Sequence, residues 1–226
     1  MRSVLSAADL LTAVHGALVS ALLTAFVIGS AFPNSVTAGE VTFVSPCECQ
    51  GQKSGTRWPA KTDPSPVPSD KSTIQPVTPS QICDWKGPES NVPLTPETDT
   101  RIAAEQKWYN LTGRVVGVKV EGDGDITLVL KDADGKKAGS VGAEIPVGPT
   151  WCELRQTVFG WMTQSFPFTF KDSQKLEMRE QHTITVTGKA FFDVQHVSAD
   201  NSNRRTKQKK YAVWEIHPVM ALHVDQ

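Results

Sequence analysis

Between Trp108 and Val224, apolar side chains recur mostly at every second position, the period of strands that bury one face. The run 111–121 is rich in β-branched residues and carries Gly113 and Gly117, which suits a long first strand that has to coil. Residues 121–125, Glu-Gly-Asp-Gly-Asp, form a tight turn. In 126–132, Ile126, Leu128 and Leu130 alternate inward while Thr127, Val129 and Lys131 face out. Asp134-Gly135 signals a hairpin, and 139–147 is a third strand that stops at Pro146. The period then becomes helical: Trp151, Leu154, Val158, Trp161 and Met162 make one core stripe. Thr150 and Glu153 are spaced as a capping box at its start. After a Phe-Pro-Phe-Thr-Phe loop and a polar segment come a fourth strand, 182–192, and a fifth, 211–224. In the fifth, Trp214, Ile216, Met220 and Leu222 share one face, and Tyr211, Val213, Glu215, His217 and Val219 the other. Pro218 cannot donate to a ladder, so it marks a bulge, an edge or a break.

Three strands, a helix and two strands predict a mostly β chain: a small five-stranded OB-like barrel with one helix between strands three and four. The chain divides into 1–38, a signal peptide; 39–100, a Pro-rich arm with cysteines; and 101–226, the barrel domain. The signal rests on Arg2, an apolar run from Ala17 to Ile28, and small residues at Val36 and Ala38 that favour cleavage before Gly39. The apolar run is shorter than the roughly 20 residues of a membrane span. An uncleaved anchor is the alternative; the expectation is an exported protein, periplasmic or extracellular, with no integral span in the mature chain.

Export changes how the cysteines read. Cys47, Cys49, Cys83 and Cys152 predict two disulfides. Cys47 and Cys49 are too close to bridge each other easily, so each is expected to pair with Cys83 or Cys152. A four-thiolate zinc site is the sharper alternative, without CxxC spacing behind it. Prolines crowd between Trp58 and Pro96 at a density that argues against helix and sheet interior. Yet Trp58, Ile82 and Trp85 sit in the same stretch, which favours an arm stapled onto the domain over a free linker. Lys and Arg number 23 against 24 Asp and Glu, so no global field points to nucleic acid or membrane and any charge argument is local.

Two constellations stand out. Asp193 and His196 close the fourth strand, while Glu215 and His217 lie two apart on one face of the fifth. Together they could hold a divalent metal or form an acid–base pair. The plainer reading is structural, with Asp193 and His196 capping the strand end. The second constellation is the loop between those strands, with Arg204, Arg205, Lys207, Lys209, Lys210 and then Tyr211. In OB-folds this loop and the first hairpin loop flank the face that binds oligonucleotides or oligosaccharides. Tyr211, Trp108 and Tyr109 are the aromatics placed to stack on bases or sugars. The first hairpin loop is acidic here, with Glu121, Asp123 and Asp125, so it either repels phosphates or pairs with the basic loop.

Arg57-Trp-Pro-Ala-Lys-Thr, Glu144-Ile-Pro followed by Cys152, Phe191-Phe-Asp193 followed by His196, and Trp214-Glu-Ile-His-Pro-Val219 together resemble a family of exported bacterial proteins of uncharacterised activity. The resemblance covers most of the chain beyond residue 38, including part of the arm, and implies that the arm packs. It also implies a histidine on strand two where this chain has Thr127, a departure that argues against a shared catalytic site. The expected function is therefore a non-catalytic binding module, without cofactor or metal, for a polyanion such as single-stranded nucleic acid, or for a glycan. The alternatives are a metal-dependent, nuclease-like hydrolase using Asp193, His196, Glu215 and His217, and a structural envelope-interaction domain.

Overall fold

The computed structural model describes residues 39–225 apart from 90, 91, 93 and 201, so the expected signal peptide lies outside the described residues. Among the described residues there are ten strands: β1 (Glu40–Ser45), β2 (Glu48–Gln50), β3 (Gln75–Val77), β4 (Trp108–Glu121), β5 (Ile126–Lys131), β6 (Val141–Ile145), β7 (Phe168–Lys171), β8 (Ser173–Leu176), β9 (Thr183–Phe192) and β10 (Trp214–Asp225). The helices are α1 (Trp58–Lys61), α2 (Pro79–Cys83) and α3 (Cys152–Gly160). Among the described residues no helix is long and apolar enough to cross a membrane.

The main sheet is organised by β4, whose 14 residues serve four partners. Along one edge it pairs with β9 through 108–114 and then with β8 through 118–121. Along the other it pairs with β3 through 109–111 and then with β5 through 114–120. Onward pairing of β5 with β6, β6 with β10 and β10 with β9 returns the sheet to β4. The molecule is thus mostly β, with one sheet of several strands and one principal helix. It is not a clean five-stranded barrel, because β3 and β8 each take part of a β4 edge. The β4 register shifts against β5 between Val115 and Gly117, which gives the strand the bend its two-partner edges require. β10 shifts register against β9 on either side of Val219, so Pro218 does sit in a bulge. Opposite it, Gly188 leaves no room for a Cβ beside the Pro218 carbonyl.

The core follows the expected alternation, with Leu111, Val115, Val120, Ile126, Leu128, Leu130, Ile184 and Val186 fully buried. β5 and β10 depart from it: Thr127, expected to face out, is 1 % exposed because Glu121 and Glu144 lie over it. Residues 211–219 are buried on both faces because the arm and the loop before β10 cover the outer one. Trp85 of the arm lies against Trp214 at 5.9 Å and Tyr109 at 4.8 Å, and the Asn203 carboxamide accepts from Val213 N and Trp214 N while donating to Ile82 O.

The arm is more ordered than its prolines suggest. It supplies β1–β3, α1 and α2; the two short helices correct the expectation that helix does not persist there, while β3 pairs on one side only, at the end of the sheet. Its prolines stand where they do no harm: Pro59 and Pro79 open the first turns of α1 and α2, and the Thr78–Gln81 capping box completes α2. A buried clamp fastens the arm. Arg57, 2 % exposed, donates to both Glu105 carboxylate oxygens at 2.7 and 2.8 Å and to the carbonyls of Thr98, Thr100 and Phe192. Glu105 accepts in addition from Phe192 N and Ile102 N, so its charge is fully partnered.

Three further expectations need correction. The Phe-Pro-Phe-Thr-Phe stretch and the polar segment after it are strands, β7 and β8. β7 joins β1 and β2 in a second sheet, where Phe43, Phe168 and Phe159 pack together at 5.2–6.3 Å. α3 is entered through a tight turn over 149–151, so Trp151 is the N-cap and the Thr150–Glu153 box does not form. One disulfide is present, Cys47–Cys152, tying the arm to the start of α3. The expected second one is absent. Cys49 lies against Gly124 at the β4–β5 turn while Cys83 lies against Gly139 ahead of β6, so the two thiols serve different turns.

Candidate functional site: an outer cleft and an inner charged chamber

Two cavities open side by side where β4, β5, β8 and the loop after β9 meet. The outer cleft, about 920 Å³, has an apolar floor of Val116, Val118, Val129, Leu176 and Met178. Its charged lining is Lys119, Lys131, Lys175, Arg205 and Lys207, with His196; among the described residues no Asp or Glu lines it. The inner chamber, about 260 Å³, is bounded by arm residues including Lys53 and Lys61 and by Glu121, Asp123, Glu144 and Asp193. Lys119, Gln195 and His196 line both cavities and form their common wall.

Beneath the chamber lies a buried network. His217 is fully buried at the β10 bulge, with Nε2 3.2 Å from Asp125 Oδ2 and Nδ1 3.2 Å from Glu144 Oε2 and 3.3 Å from Glu215 Oε1. Phe191 closes its far side at 5.4 Å between ring centroids. Burial alone would lower the imidazole's pKa, but the three carboxylates outweigh it and hold the ring well above its ordinary value. Burial pushes up on Glu144, yet contact with His217 and the charges of Lys61 and Arg205 keep it well below the usual carboxylate range. Glu215 goes the other way: burial, with Glu144 and Asp193 beside it, pushes it up to about 7. Asp123 is pushed up to about 6 by burial and by Asp125, against the pull of Lys61.

The structure brings the two sequence constellations together through one residue. Arg205 Nη2 donates to Glu215 Oε2 at 3.1 Å and lies 3.6 Å from Asp193 Oδ2. Asp193 pairs in turn with His196 and accepts from Gln195 N, the strand-end cap of the plainer reading. The basic loop therefore splits. Arg205 is buried with Tyr211 beneath it at 4.3 Å, and Arg204 donates to the carbonyls of Cys83 and Asn203. Lys207, Lys209 and Lys210 are exposed. Tyr109 is buried against Trp85, Lys189 covers Trp108, and only Tyr211 of the three expected stacking aromatics reaches the cleft. The acidic turn pairs with Lys61 and Lys119, not with the basic loop.

Asp125, Glu144, Thr127 and Lys61 belong to the site, although the two constellations above leave them out. Glu144 had a signal, a carboxylate inside the otherwise apolar run Val-Gly-Ala-Glu-Ile, all of it buried. Thr127 Oγ1 lies 3.0 Å from Glu144 Oε1 and 3.2 Å from Glu121 Oε1, and its one proton is shared between the two carboxylates, with Glu144 the nearer. Lys61, brought in from 47 residues before β4, had none. Comparison with protein-family models, curated proteins and solved structures finds no match.

Proposed function

We propose that this chain is an exported OB-like binding module whose ligand is an anionic polymer lying along the outer cleft. The ring of pairings β4–β5–β6–β10–β9, with α3 between β6 and β9, supports the OB reading, since that fold binds oligomers on the face flanked by the first hairpin loop and the last long loop. The Cys47–Cys152 disulfide and the leader-like segment 17–28 support export. The observation that carries the ligand class is the cleft's charge: Lys131, Lys175 and Lys207 stand exposed over an apolar floor with no Asp or Glu among the described lining residues, while Arg205 and Lys119 are already paired with carboxylates behind them. Because Tyr211, largely covered, is the only tyrosine, tryptophan or phenylalanine among the described lining residues, recognition is electrostatic and tolerant of base sequence, so nucleic acid and acidic glycan compete as ligands.

The test is fluorescence anisotropy of a labelled oligo-dT and of labelled heparin titrated with the full chain. Three neutralised charges, Lys131, Lys175 and Lys207, predict that log K for the oligonucleotide falls against log salt with a slope of about −2. Absence of binding by either polymer at low salt sinks the reading. Binding of heparin alone would assign the cleft to acidic glycans.

A further inference from the structure

We infer that Asp125, Glu144 and His217 form a binding site for one divalent first-row metal ion, of the zinc or manganese kind, at the base of the inner chamber. The three come from the end of the β4–β5 turn, from β6 and from the β10 bulge, and one ligand atom from each lies within 4.8 Å of the others. An ion bound at about 2.0–2.2 Å requires the three to close in from that spacing, with His217 ligating through Nε2 while Glu215 keeps Nδ1.

A second observation points to the same place. Both Asp125 carboxylate oxygens and His217 Nε2 are buried without a hydrogen bond. Asp125 Oδ2 and His217 Nε2 stand 3.2 Å apart but outside hydrogen-bond alignment. Asp125 Oδ1 has no partner at all and Oδ2 meets the imidazolium only as a misaligned ion pair. An ion that displaces the Nε2 proton to solvent would therefore partner both residues, and binding should release that proton. Of the three carboxylates around the imidazole, only Glu215 has a guanidinium within ion-pair distance among the described residues. The surroundings hold the candidate ligands still. Glu215 fixes Nδ1 at 3.3 Å, Arg205 fixes Glu215, and Thr127 fixes Glu144. An imidazole beside two carboxylates suits zinc or manganese better than calcium or magnesium, which prefer oxygen throughout. Glu144 also lines the chamber, so the site has an entrance.

The proposal does not rest on the polymer reading, because the cleft lysines are not ligands. The full chain, stripped with a chelator, is titrated with zinc, manganese and calcium chlorides by calorimetry, and retained metal is measured after dialysis. About one equivalent of zinc or manganese is expected, weakened at least about 100-fold by the near-isosteric Asp125→Asn and unchanged by Lys207→Glu. No retained ion in a chain that circular dichroism shows folded overturns the site, as does Asp125→Asn binding like the parent. Should Asp125→Asn fail to fold, nitrogen NMR of the parent decides: zinc must shift the His217 ring nitrogens, and unmoved signals overturn the proposal.

Discussion

The outer cleft and the inner chamber share a wall, yet their chemistry is opposed. The cleft collects cations and keeps its carboxylates out; the chamber sets four carboxylates against three lysines and His196. The difference comes from which parts of the chain build each. The cleft is made by residues projecting outward from β4, β5 and β8, with one loop closing over them, so Lys131, Lys175 and Lys207 remain solvated and available to a ligand, while Lys119 is held by Glu121. Much of the chamber wall is the folded-back arm, whose Lys61 and neighbours cover the acidic turn and take its charges out of water. Solvated charges recruit partners by long-range attraction, whereas buried ones shift one another's protonation and demand partners in place.

The largest effect should come from undoing the arm. Glu105→Ala leaves the Arg57 guanidinium buried and unpaired, which should cost about 3–5 kcal/mol in urea unfolding and expose 50–100 to limited proteolysis. The chamber is lost with the arm, while the cleft, which contains no arm residue among those described, keeps its anion binding in whatever fraction stays folded. Equal loss of both functions would show that the two regions are one.

A smaller effect, confined to the cleft, is expected from reversing Lys131, Lys175 and Lys207 together to Glu. Oligonucleotide affinity at low salt should fall by about 10- to 1,000-fold and the salt dependence should flatten. Stability should change by no more than about 1.5 kcal/mol, about 0.5 for each of the three surface substitutions. Binding that survives would move the ligand to the exposed Lys209 and Lys210.

The smallest effect belongs to the wall. The Asp193 hydrogen bond, against the opposing effect of burial, raises the His196 pKa above its ordinary value. The imidazole is therefore a cation below that raised pKa, and the cation is lost as pH rises through it. Anion binding should be about 2- to 5-fold tighter at about pH 5.5 than at about pH 8, and His196→Ala should remove the difference. NMR titration of His196 should show a lower midpoint in Asp193→Asn; an unchanged midpoint would mean that the wall is not tuned by that pair.

What the sequence alone determined here is what depends on neighbours along the chain. Alternation located β4, β5, β6, β9 and the inward set Ile126, Leu128 and Leu130, because a strand's two faces repeat every second residue whatever packs on them. Pro218 marked a bulge for an equally local reason, its missing donor. Tertiary structure decided the rest. Proline density concealed the ordered arm, whose stability lies in Arg57–Glu105 and Trp85–Trp214, contacts between residues 48 and 129 positions apart. The same long range removed the second disulfide, by setting Cys49 and Cys83 on different turns. It also turned Arg205 from a loop cation into the link between Glu215 and Asp193. Charge at a site depends on what is buried beside it, and burial between distant segments is not written in the spacing of either one.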